Sequence, residues 1–177
     1  SAASWAALRL LGFTPASSGE DEFEAFARAR SLRIRSLRTL ARRRGFEHAV
    51  VRSLNAPESL ARLRAARADR VLYGGGGILR RAFLEAASSP VLNAHSGPLP
   101  QVRGMNACEW SILLGLPPTL TIHQIDEGID TGPILEAIPI PVRPGDTIDG
   151  LRSRCALLGV QGLLRTLQTG ALPARAA

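Results

Sequence analysis

Apolar positions recur at two periods along this chain, and the alternation between them lays out its elements. Spacings of three and four predict helices over 2–11, 20–44, 57–67, 78–87 and 105–115, and again in a last segment after Asp146-Thr147. In that segment Ile148, Leu151, Cys155 and Leu158 share one face. Asp146-Thr147 supplies its N-cap, and Gly170 stops it ahead of a frayed tail to Ala177. Short runs of strand type cover 47–52, 70–73, 90–94, 119–125 and 134–142. Strands alternating with helices predict one α/β domain with a mostly parallel sheet and helices on both faces. Ligands of such a sheet sit at the carboxyl ends of its strands.

Chemistry-bearing residues gather at those ends. Asn93-Ala94-His95 follows the apolar Pro90-Val91-Leu92 and leads into Gly97-Pro98-Leu99-Pro100-Gln101-Val102-Arg103-Gly104, whose Gly and Pro residues fix turns. In an extended strand end, Asn93 and His95 point to one face. A second loop, Asp126-Glu127-Gly128-Ile129-Asp130-Thr131-Gly132-Pro133, adds carboxylates. A third, Tyr73-Gly74-Gly75-Gly76-Gly77, leaves the strand at Arg70-Val71-Leu72. Its consecutive glycines permit close backbone approach to a flat or anionic group, or simply make a flexible turn. They do not form the Gly-x-Gly-x-x-Gly phosphate fingerprint. An amide, an imidazole and a carboxylate on such loops suit chemistry at a carbonyl.

The series Asn93-x-His95, Leu99-Pro100-x-x-Arg103-Gly104 and Thr121-x-His123-x-x-Asp126-x-x-x-Asp130-x-Gly132-Pro133-Ile134 resembles the catalytic domain of the folate-dependent formyltransferases. That family includes the glycinamide ribonucleotide, methionyl-tRNA and sugar N-formyltransferases. The match is dense from about Ala68 to Gly150. Taken singly, Asn93 or His95 reads as a hydrogen-bonding strand end, and Asp126 or Asp130 as a turn former. Order and spacing together favour the catalytic reading.

The resemblance implies a Rossmann-like fold, 10-formyltetrahydrofolate as donor, an amine as acceptor and no metal. It implies that Asn93 and His95 stabilise the developing oxyanion, with His95 also moving a proton. Asp130 would hold His95 and accept a proton, directly or through water; a carboxylate beside an imidazole favours the imidazolium. Tyr73, Gly74, Gly75, Gly76 and Gly77, with Asp126, Gly128 and Ile129, would line the folate. Arg103, Gly104 and Asn106 would border the acceptor. The family usually has larger residues in the glycine loop, so this pocket departs in shape. His123 leans toward the sugar-amine and purine-precursor branches, and its alternation with Ile122 and Ile125 reads as a structural hydrogen bond. Family members also open with a strand, a glycine turn and a helix. Residues 1–44 show no such strand, so that N-terminal unit is altered, lost or outside this sequence.

Charge changes little. The net charge is +7, but all 22 basic residues are Arg, as compositional bias would give. The densest run, Arg28 to Arg44, has helical spacing and no interleaved aromatics, so it reads as a solvated helix face rather than a nucleic-acid surface. Cys108 and Cys155 lack metal-ligand spacing and read as reduced core thiols. No apolar run reaches membrane-spanning length and no signal peptide opens the chain, so a cytoplasmic protein is expected. With no space for an added C-terminal domain, the expected acceptor is the amine of a small metabolite, an amino sugar or biosynthetic intermediate, rather than tRNA. A hydrolase releasing formate, and a folate-binding protein without turnover, are the alternatives. A homo-oligomer stays open.

Overall fold

A computed structural model of the chain describes residues 22–29 and 37–169. They form α1 (Glu22–Ala29), α2 (Leu37–Arg44), α3 (Pro57–Ala66), β1 (Val71–Tyr73), α4 (Arg81–Ala86), β2 (Val91–His95), α5 (Ala107–Leu113), β3 (Thr119–Gln124), β4 (Ile134–Pro139) and α6 (Ile148–Thr169). The expected helix at 2–11 and the tail after Thr169 lie outside the described residues. So does the middle of the 20–44 stretch, whose described parts are α1 and α2.

The α/β class is borne out, and one detail of the sheet is corrected. The strands lie in the order β1-β2-β3-β4. Only β1 and β2 are parallel; β3 runs antiparallel to both β2 and β4. The sheet is therefore mixed. The reason lies in the connections. A parallel neighbour requires a crossover spanning the strand's length. Here the segment after β2 is held at that strand's carboxyl end, where the Thr121 hydroxyl donates to the Gly97 carbonyl at 2.7 Å. From β3 to β4 there is a loop with no helix, and it simply reverses the chain.

Helices cover both faces. The alternation along β2 sends Val91 toward Leu79, Phe83 and Ala87, with Leu60 and Leu63 of α3 beside them. Ala94 faces the other way, into a cluster of Leu120 and Ile122 with Leu151 and Cys155 of α6. That helix lies close because of its small residues: a Cβ at Gly162 would come within 2.9 Å of Ile122 Cδ1, and one at Gly159 within 3.0 Å of Ala94 Cβ.

Thr147 caps α6 as expected, its hydroxyl accepting from Gly150 N at 3.1 Å. Asp146 has a different task. It takes Arg154 at 2.6 and 2.9 Å, while the Arg154 Nε donates to Glu22 of α1 at 3.0 Å and Nη1 to the Pro141 carbonyl at 2.6 Å. Arg154 is only 5% exposed, and these partners satisfy its buried charge.

The strand expected at 47–52 is absent; the segment is coil. Its alternation was real, but a strand needs a hydrogen-bonded neighbour, and among the described residues the sheet ends at β1. Val50 is 88% exposed there. No helix among the described residues is long and apolar enough to cross a membrane.

Candidate active site

The mixed sheet brings the candidate residues together. In β2, Asn93 and His95 share a face, and the antiparallel register sets His123 opposite Asn93 and Thr121 opposite His95. Beside this point Ile122 pairs with Glu136 and His123 with Ile134, so β4 carries one extra residue, Leu135. Such a bulge re-aims the strand next to the site.

Thr121, buried, also accepts from Leu99 N at 3.3 Å, so both its bonds fold the 97–104 turn back over β2. That fold delivers the Val102 carbonyl to His95 Nε2 at 2.9 Å. Gly97 makes the approach possible. A Cβ there would lie 2.8 Å from His95 Nε2 and 2.5 Å from Ala107 Cβ.

Asp130 completes the cluster from the loop after β3. Its backbone sits at φ 51°, a left-handed conformation that a short polar side chain tolerates. Its Oδ2 accepts the Gly104 N–H at 2.8 Å and lies 3.4 Å from His95 Nδ1. The other oxygen, Oδ1, lies 3.6 Å from His123 Nε2. The two rings meet edge to face, with centroids 6.2 Å apart.

Partners fix the tautomers. His123 Nδ1 faces the Gln124 carbonyl at 2.9 Å and must carry the proton there. Its Nε2 then accepts from Asn93 Nδ2 at 3.2 Å. Burial pushes the His123 pKa down, against the Gln124 hydrogen bond and the Asp130 charge, so the ring stays neutral. His95 differs, because both its nitrogens face oxygen acceptors. A neutral ring donating to Val102 leaves the Nδ1 lone pair facing Asp130, a position that can take up one proton. The pair can hold a proton in transit. Asn93 spends one N–H on His123 and keeps the other.

The expected folate walls stand at the same end of the sheet. Tyr73 pairs with Asn93, so the glycine loop leaves β1 beside the cluster. Gly75, Gly76 and Gly77 take φ of 105°, 123° and 96°, which other residues rarely adopt. The Tyr73 hydroxyl donates to the Gly77 carbonyl, and burial raises its pKa. Asn55 clasps the loop's far side: Nδ2 donates to the Ile78 carbonyl and Oδ1 accepts from Arg80 N, both at 2.8 Å. Gly74 is exposed, as are Gly128 and Ile129 of the opposite loop. Asp126 is turned into its own loop, accepting from Gly128 N at 3.0 Å and the Thr131 hydroxyl at 2.5 Å. Arg81 of α4 reaches Glu127 at 3.5 Å, linking the two walls.

On the expected acceptor side, Gly104 serves through its N–H to Asp130, and Arg103 is exposed. Asn106 stands at the start of α5 at φ 56°, its Oδ1 taking Arg152 at 3.0 Å while Arg152 also binds Glu109 at 2.6 Å. That side chain is engaged with α6. Sequence reading missed the roles of Asn55 and the Val102 carbonyl, whereas the hydrogen bonding expected of His123 is present, to Asn93 and the Gln124 carbonyl. Nothing local to Asn55 points to a loop more than twenty residues on.

Comparison with known proteins agrees with this geometry. The family described as formyl transferase matches residues 21–167. The methionyl-tRNA formyltransferase of Hydrogenovibrio crunogenus is 37% identical over 117 residues, covering 65% of this chain and 38% of that protein. The chain thus spans well under half the length of that relative. The phosphoribosylglycinamide formyltransferase of Streptococcus pneumoniae TIGR4 superposes with a TM-score of 0.65 at 21% identity, over 77% of this chain and 81% of that one, which shows the fold. The formyltransferase PseJ of Anoxybacillus kamchatkensis, solved with a formamido sugar nucleotide and tetrahydrofolate, superposes with a TM-score of 0.50 at 25% identity over 62% of each chain.

Proposed function

The chain belongs to the formyl transferase family, and from that premise we propose that it moves a formyl group from 10-formyltetrahydrofolate to an amine. The observation that carries the reading is the Asp130 carboxylate, fixed by the Gly104 N–H between two buried imidazoles, one of which holds the Asn93 amide.

The chemistry follows from what each group can still do. The amine attacks the formyl carbon, and the carbonyl oxygen gains charge. The second Asn93 N–H donates to that oxygen, where a fixed dipole counts most. His95 reaches the same oxygen only by exchanging its bond to Val102. The proton shed by the amine passes to the His95–Asp130 pair, directly or through water. It returns to N10 of the folate as the carbon–nitrogen bond breaks, leaving tetrahydrofolate and a formamide. The glycine loop and the 126–129 loop flank the donor in this reading, since both stand at the same end of the sheet as the cluster; a folate donor is supported by the tetrahydrofolate with which the similar PseJ was solved.

The acceptor we favour is the amine of a small metabolite, entering past Arg103 and Gly104. A methionyl-tRNA acceptor is the second reading, favoured by the name of the 37% identical relative. The test is tetrahydrofolate release from 10-formyltetrahydrofolate, with amino sugars, glycinamide ribonucleotide and methionyl-tRNA as acceptors. Amine-dependent release with a formylated product supports transfer and identifies the acceptor class. Release that ignores every amine and yields formate would replace transfer with hydrolysis.

A further inference from the structure

We propose that His123 is a positioning residue that aims Asn93: tethered through Nδ1–H to the Gln124 carbonyl, it presents Nε2 to one Asn93 N–H and so directs the other at the reacting carbonyl. The inference rests on the formyl-transfer reading and adds to it a residue that never touches the substrate.

An asparagine amide turns easily about its last torsion. Turned over, it would present Oδ1 to a developing oxyanion and repel it. The orientation must therefore be set by something rigid. His123 is 1% exposed, lies on the central strand β3, sits against the bulge at Leu135, and holds its own bond to Gln124 at 2.9 Å. Its Nε2 lone pair accepts only an N–H, and at 3.2 Å it meets Asn93 Nδ2. One face of the amide is thereby selected.

The same geometry contains an acid limit. A proton on Nε2 would make the acceptor a donor. It would expel the Asn93 N–H and face Asp130 Oδ1, now 3.6 Å away. The groups facing His123 are Asn93 and His95 from β2, Asp130 and Asp126 from the following loop, and Ile134 from β4. Burial and His95 disfavour the proton, the Gln124 hydrogen bond and the two carboxylates favour it, and burial dominates. Alignment of Asn93 thus holds at neutral pH and fails on the acid side.

The experiment compares wild type, His123→Ala and His123→Gln in folate-dependent formyl transfer across pH. The nitrogen-15 resonances of the His123 ring are recorded in parallel. Glutamine can place an unprotonatable oxygen near the Nε2 position. With alanine, kcat should fall about 10- to 100-fold while KM for the folate stays within about twofold, as misorientation of a donor costs. Glutamine should restore most of that loss and abolish the part of the acid limb due to His123. The spectra should show Nδ1 protonated and Nε2 bare at neutral pH. Wild-type kcat and pH profile in the alanine variant would overturn the inference, and so would an Nε2-protonated neutral ring. If the wild type transfers nothing, the functional reading falls, while the spectra still decide the tether. If alanine does not fold, glutamine and the spectra decide it.

Discussion

At the scale of single residues, Asp130 has the most to do. One of its oxygens holds the backbone at Gly104 and faces His95; the other faces His123. Asp130→Asn keeps the shape but places an amide N–H or a neutral oxygen where a proton acceptor stood. Turnover should fall by about 10²- to 10⁴-fold with donor affinity little changed, read by steady-state kinetics beside equilibrium binding of the folate. Gly97 makes a second prediction. Its Cβ would collide with His95 and with α5, so Gly97→Ala should cost about 1–3 kcal/mol in denaturant unfolding and lower kcat as well. An alanine variant as stable and active as wild type would show that the 97–104 turn does not hold the ring.

At the scale of elements, the sheet's mixed direction makes the site. Had β3 run parallel to β2, its register would not set His123 against Asn93. The strand itself was legible, because Thr121, His123 and the apolar Leu120 and Ile122 alternate cleanly. Its direction was not, because direction is set by bonds such as Thr121 to Gly97 that local pattern does not record. For the same reason 47–52 alternates like a strand and remains coil. The strand end that bears Asn93 and His95 and the loop that bears Asp130 were readable from turn residues and spacing, whereas Asn55 was not, since its partners lie on another loop. The start of α6 offers a pH test. Arg154 and the Arg143 N–H draw the Asp146 pKa down to about 2. A carboxyl depressed on folding adds stability that is full above its unfolded value near 3.8 and is lost as pH falls toward 2. Asp146→Asn should therefore lower the unfolding midpoint at pH 7, with the gap closing between about pH 4 and pH 2. A gap unchanged across that window would mean that the charge on Asp146 contributes nothing.

At the scale of the whole molecule, the charge and the acceptor must agree. The chain carries +7, with Arg38, Arg42, Arg43 and Arg44 exposed on α2. If the acceptor is a small amine, kcat/KM should change little with salt. A tRNA acceptor would instead give a steep log–log decline, by about 0.7 to 0.9 in slope for each phosphate contacted. A single turnover shows whether the cluster of Asn93, His95 and Asp130 carries the transfer. Donor labelled with carbon-13 in its formyl group is mixed with excess wild type, or with excess Asp130→Asn, together with the active amine. We expect the wild type to carry the label onto the amine nitrogen, and the variant to bind the donor yet leave the label on the folate. Equal transfer by both proteins would mean that the Asp130 carboxylate takes no part in the reaction.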